Sequence, residues 1–100
     1  MRVHQLFANK SANGTGPVQW WMGGMGTFHI SGSLGGGSIA IEFRPDATSD
    51  FEPVLEDGST AYAITVTGTL SIGIAVGQVR LNLTGATNPA VSVVLKECKG

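Results

Sequence analysis

Apolar and polar residues alternate along most of this chain with the two-residue period of extended strands, not the 3.6-residue period of helices. Residues 38–44 show it most cleanly: Ile39, Ile41 and Phe43 fall on one face, and Ser38, Ala40, Glu42 and Arg44 on the other. The pattern recurs at 78–84, with Val79, Leu81 and Leu83 inward, and at 27–31, with Phe28 and Ile30 inward and Thr27 and His29 outward. Further strand candidates lie at 2–8, 18–22, 51–55 (a short edge strand), 61–67, 69–76 and 90–95. Turn chemistry separates them at Gly23-Gly24-Met25-Gly26, Gly35-Gly36-Gly37, Pro45-Asp46, Asp57-Gly58 and from Gly85 to Pro89. These elements predict an all-β fold, an antiparallel β-sandwich or jelly-roll-like barrel of about seven or eight short strands. Residues 1–17 are expected to form an N-terminal strand followed by a loop or arm, and residues 18–100 the sandwich domain.

There is also a faint internal echo. Gly26-Thr27-Phe28-His29-Ile30 resembles Gly68-Thr69-Leu70-Ser71-Ile72, and the strand after Gly37 resembles the strand after Gly77, at offsets of 42 and 40 residues. Two unrelated hairpins would look much the same; so would a sandwich built from two similar halves.

Composition narrows the function. With 100 residues the chain is one domain with a modest core. Charged residues make up 13%, about half the usual level, so the surface is largely neutral and cheaper to bury against a partner than one rich in Lys and Glu. A net charge of −1 and scattered basic residues argue against nucleic acid as a partner. No apolar run is long enough for a membrane helix, and no signal peptide is evident, so cytoplasmic synthesis and no membrane partner are expected. Cys98 is the single cysteine, which excludes an internal disulfide and a Cys-rich zinc site within one chain.

Candidate chemistry is sparse. His4 and His29 both fall in strands, with His29 outward. No serine sits in a nucleophile-elbow pattern, and the glycine runs lie between strands, with no helix N-terminus to receive a phosphate. Asn82-Leu83-Thr84 matches a glycosylation sequon, expected to be incidental without a secretion signal. Residues 46–57 hold five of the seven acids, Asp46, Asp50, Glu52, Glu56 and Asp57. Clustered carboxylates can bind Ca²⁺, but the spacing is not that of an EF-hand, and a solvated loop shielding an edge strand is the expected role. No catalytic residue, cofactor or metal site is therefore assigned.

Trp20-Trp21 is the most informative pair. Neighbours in a strand point to opposite faces, so one indole should enter the core and the other face outward. With Met22 and Met25 nearby, Trp20 and Trp21 mark an expected interface, since aromatic residues and Met are enriched at contacts. Burial of the second indole under a loop of the same chain is the alternative.

The succession Gly26-Thr27-Phe28, Gly35-Gly36-Gly37-Ser38-Ile39-Ala40-Ile41-Glu42-Phe43, Pro45-Asp46 and Gly77-Gln78-Val79-Arg80-Leu81-Asn82-Leu83-Thr84-Gly85-Ala86 resembles small β-rich virion proteins of tailed bacteriophages. The chain departs from that pattern at Ala47, where a glycine is usual, and in the longer acidic segment that follows. The resemblance implies a non-enzymatic structural part of a virion, assembled in the host cytoplasm. A capsid decoration or cement protein leads, with a head–tail connector or tail component as the alternative. Its implied partners are the major capsid protein or neighbouring virion subunits, and it implies a homo-oligomer. A reading from another class is a carbohydrate-binding sandwich in which Trp20 or Trp21 stacks on a sugar. A small hydrolase is a remoter third.

Overall fold

The computed structural model describes residues 3–97. Nine strands form, in order β1 (Val3–Lys10), β2 (Gly14–Thr15), β3 (Gln19–Trp21), β4 (Gly24–Ser33), β5 (Ser38–Arg44), β6 (Glu52–Pro53), β7 (Gly68–Ile74), β8 (Gly77–Thr84) and β9 (Ala90–Glu97). All pairings are antiparallel. One sheet has the order β1-β9-β4-β7; the other has β2-β8-β5-β6, with β3 also paired to β8. β2 and β3 occupy successive parts of one edge, beside Asn82–Leu83 and Gly77–Val79 of β8. Counted as one strand, they leave eight strands in two four-stranded sheets, with the chain passing back and forth between the sheets, which is jelly-roll topology.

Alternation places the core between the sheets. Ile39 and Ile41 from β5, Val79, Leu81 and Leu83 from β8, Phe28 and Ile30 from β4, and Val91, Val93 and Leu95 from β9 are all buried, so the inward faces expected from the sequence hold. His29 lies on the exposed face of β4, as its place in the alternation requires.

The described part of residues 1–17 forms the N-terminal strand β1 and then a segment tied to the sheets: Leu6 and Phe7 of β1 are buried in the core, β2 pairs with β8, the Gly16 N–H donates to the Leu81 carbonyl, and Asn13 exchanges two hydrogen bonds with Ala86. The turn chemistry of residues 9–17 serves this chain's own edge. Two expectations, on residues 61–67 and 23–26, need correction. Residues 61–67 are not a strand, despite their β-branched residues. They carry the chain from one sheet to the other, so only single bridges form, at Ala61 with Leu55 and at Ile64 with Ile39. Finally, the Gly-rich segment 23–26 is not all turn; β4 begins at Gly24.

The internal echo proves to be spatial. β4 pairs with β7, setting Gly26 opposite Ile72 and Phe28 opposite Leu70, and β5 pairs with β8, setting Ile39 opposite Leu83 and Ile41 opposite Leu81. Each echoing strand therefore lies beside its counterpart. Two similar arches, β4–β5 and β7–β8, each cross from one sheet to the other, the arrangement expected of two halves packed about a pseudo-two-fold axis.

Candidate contact surface

The end of the sandwich at the start of β4 is where the sequence expectation can be tested against geometry. β3 sets Trp20 opposite Gln78 and Trp21 opposite Gly77. Alternation then sends the two indoles opposite ways. Trp21 is 1% exposed, and its Nε1 donates to the Ile74 carbonyl at 3.1 Å. The ring of His4 meets it edge-on, with centroids 5.6 Å apart. Trp21 is thus a core residue, and its assignment to an interface is corrected: a side chain enclosed by its own chain has no area left for a partner. Trp20 remains 52% exposed on the outer side of the second sheet.

Met22 and Met25 are also exposed, at 63% and 51%. Gly23 and Gly24 turn the chain with φ of 91° and 94°, conformations that suit glycine. That turn brings Gly23 against Val76, a 57%-exposed residue of the β7–β8 turn. Met25 follows on the outer side of the first sheet, opposite Gly73. Trp20 and Met25 therefore face outward from opposite sheets, with Met22 and Val76 on the rim between them. Val76 was missed because alternation from Ile72 and Ile74 puts it inward; β7 ends at Ile74, and the turn releases Val76 to solvent.

Beside Trp20 the outer face of the second sheet is polar and internally satisfied. Arg80 pairs with Glu42 at 2.6 Å, and Arg44 Nε donates to Gln78 Oε1 at 2.7 Å. Both guanidinium groups lie over the Phe51 ring, at 4.4 Å for Arg44 and 4.0 Å for Arg80. These contacts clamp Phe51, in the middle of the acidic segment, onto the sheet.

Two of the acids of that segment, Asp46 and Asp57, each anchor a local turn. Asp46 Oδ1 accepts from the Thr48 hydroxyl and backbone N–H and from the Ser49 hydroxyl. Asp57 Oδ1 accepts from the backbone N–H groups of Ser59 and Thr60 and from the Ser59 hydroxyl. These bonds favour the charged carboxylates, chiefly the Thr48 hydroxyl for Asp46 and the Ser59 N–H for Asp57, and hold both pKa values below the ordinary 3.8. Glu52 becomes part of β6, the edge strand beside β5. No group of three or more His, Cys, Asp or Glu side chains among the described residues is placed to hold a metal ion. Cys98 lies outside the described residues.

A pH dependence follows. A carboxylate whose pKa is depressed on folding stabilises the native state above its unfolded pKa, and that contribution fades as pH falls through the folded value. Urea midpoints should therefore drop as pH is lowered below 3.8, and the double substitution Asp46→Asn, Asp57→Asn should flatten that part of the profile. An unchanged slope in the double variant would count against these turns as its source.

His4 and His29 are not brought together: His4 packs inward on Trp21, and His29 lies outside with Thr27, Thr69, Val94 and Lys96 around a shallow hollow. A second hollow, of about 300 Å³, opens where residues 62–70 pass Ile30. Compared with known proteins, the chain matches no family model, no curated protein and no solved structure.

Proposed function

We propose that this chain is a non-enzymatic structural component of a tailed-phage virion, a decoration or cement protein that docks on the capsid through the Trp20 end of the sandwich. The observation that carries the reading is the contrast within one dipeptide. Trp21 anchors the core, while Trp20 stays exposed, with Met22, Met25 and Val76 around the adjoining rim. Large apolar side chains clustered in water are the usual mark of a contact surface; Val3, Val18, Leu55 and Val66 are exposed as well. The resemblance to small virion proteins supplies the kind of partner, a neighbouring capsid subunit. The jelly roll agrees with it only as an analogy, since the architecture serves capsid and lectin domains alike. A connector or tail position would use the same surface.

The test is co-sedimentation with undecorated capsids of the phage that encodes the chain. Wild-type protein should pellet with the capsids, and Trp20→Ala should weaken binding by about 30-fold or more, the effect of removing a central aromatic contact. Capsids that ignore the wild-type chain, or bind Trp20→Ala equally well, would overturn the proposal.

One observation favours a second reading. Trp20 shares its sheet face with Gln78 and Arg44, a stacking platform beside polar groups of the sort that binds sugars. In that case glycan titration would quench Trp fluorescence, and Trp20→Ala would abolish the quenching.

A further inference from the structure

We propose that β7 is a pairing edge through which two copies of this chain join antiparallel, turning each four-stranded sheet into half of a continuous eight-stranded one. The argument begins with how the other sheet edges are protected. Natural sheets blunt their edges with bulges, proline, charge or short strands, because free N–H and C=O groups invite another strand. β1 is interrupted by register shifts between Gln5 and Phe7 and between Phe7 and Lys10. β6 is two residues long and includes Pro53, and β2 and β3 have two and three residues. β7 has none of these devices. It runs for seven residues in unbroken register with β4, with no bulge, proline or charge. From Gly58 to Val79 the sequence holds no charged residue at all. Among the described residues β4 is the one strand paired with β7, so the other side of its backbone is open.

The β7 sequence suits its own copy. An antiparallel pair centred on Ser71 sets Ser71 against Ser71, Leu70 against Ile72, Thr69 against Gly73 and Gly68 against Ile74. Each pairing keeps its face: Leu70, Ile72 and Ile74 point toward the core side, and Thr69, Ser71 and Gly73 point outward. No like charges meet across the axis, and the small outward residues offer no obstacle. Val66, the most exposed of the large apolar residues, precedes the strand, where a partner copy would cover it. Among the described residues each chain has a single edge of this kind, so the two-fold contact closes on itself and does not propagate into a fibre.

The inference does not depend on the docking role given to Trp20, and the experiment keeps the two apart. Sedimentation velocity at micromolar concentration should show wild-type protein at twice the mass of one chain. Ser71→Lys places two like charges on the axis and should raise the dissociation constant at least about tenfold, with circular dichroism and thermal transition retained. Mixing Ser71→Lys with Ser71→Glu should restore a dimer, which a misfolded variant could not do. Trp20→Ala should leave dimerisation intact. A monomeric wild-type chain, a Ser71→Lys chain that dimerises normally, a mixture that stays monomeric, or a Trp20→Ala chain that dissociates would each overturn the proposal. A protein that dimerises by this pattern but never coats capsids would lose the docking reading and keep this one.

Discussion

Replacing Trp21 by alanine should destabilise the fold by about 3–5 kcal/mol, whereas the same change at Trp20 should cost under about 1 kcal/mol. The two residues are chemically identical and adjacent, so the difference isolates which face of β3 each one occupies. Trp21 fills the space between the sheets and satisfies its indole N–H on the Ile74 carbonyl. Its removal opens a cavity that the surrounding strands cannot close, because β4, β8 and β9 are each held by pairing on both sides. It also strips His4 of its ring contact. Small domains have about 5–15 kcal/mol of total stability, so Trp21→Ala should bring the chain close to unfolding at ordinary temperature. Urea denaturation followed by circular dichroism measures both variants. Equal losses would mean that Trp20 is also a packing residue, and the contact role proposed for it would fall with that result.

The same dipeptide shows what the sequence makes legible. Alternation predicts that the two indoles part company, because period-two geometry is local and needs no knowledge of the fold. It does not predict which indole turns inward: Val18, Trp20 and Met22 make the wholly apolar face and Gln19 shares the other with Trp21, yet Trp21 is the buried one. The choice is made by register: Trp21 sits opposite Gly77, and its ring lies over Gly26. Strands at 38–44, 78–84 and 90–95 are readable for the converse reason, with one apolar face each, and with clear turn residues at both ends of the first two and before the third. Residues 61–67 have strand-forming side chains but must cross between sheets, a demand of topology that propensity does not record. Phe51 is likewise placed by distant partners, the arginines of β5 and β8.

The glycines divide in the same way. As punctuation, Gly23 and Gly24 are readable from sequence, because a turn needs their positive φ. Gly26 is not. It reads as part of the same breaker, yet it lies inside β4, is buried, and is needed for its lack of a side chain.

That role gives the second large expected effect. A Cβ at position 26 would fall 2.8 Å from Leu95 Cδ1, 2.8 Å from Trp21 Cη2 and 2.9 Å from Trp21 Cζ2. Neither neighbour is free to withdraw. Leu95 belongs to β9, the strand paired with β4 along its length, and the indole is pinned by its hydrogen bond to Ile74. Gly26→Ala should therefore cost about 1–3 kcal/mol through overpacking, and Gly26→Val more. Gly73, in the neighbouring strand, provides the control. Its added Cβ would meet only Met25 Sδ, at 3.4 Å, the flexible part of an exposed side chain. Gly73→Ala should thus be close to neutral, or stabilising by up to about 1 kcal/mol through the reduced freedom of the unfolded chain. Trp21→Phe supplies the decisive partner for Gly26→Ala, because phenylalanine lacks the ring atoms that the new methyl group would strike. Denaturant midpoints for the two single variants and the double variant should show a coupling of at least about 1 kcal/mol, with the alanine tolerated better beside Phe than beside Trp. Strict additivity would mean that the strain at position 26 comes from Leu95 and the strand pairing, and that the indole does not depend on the missing side chain.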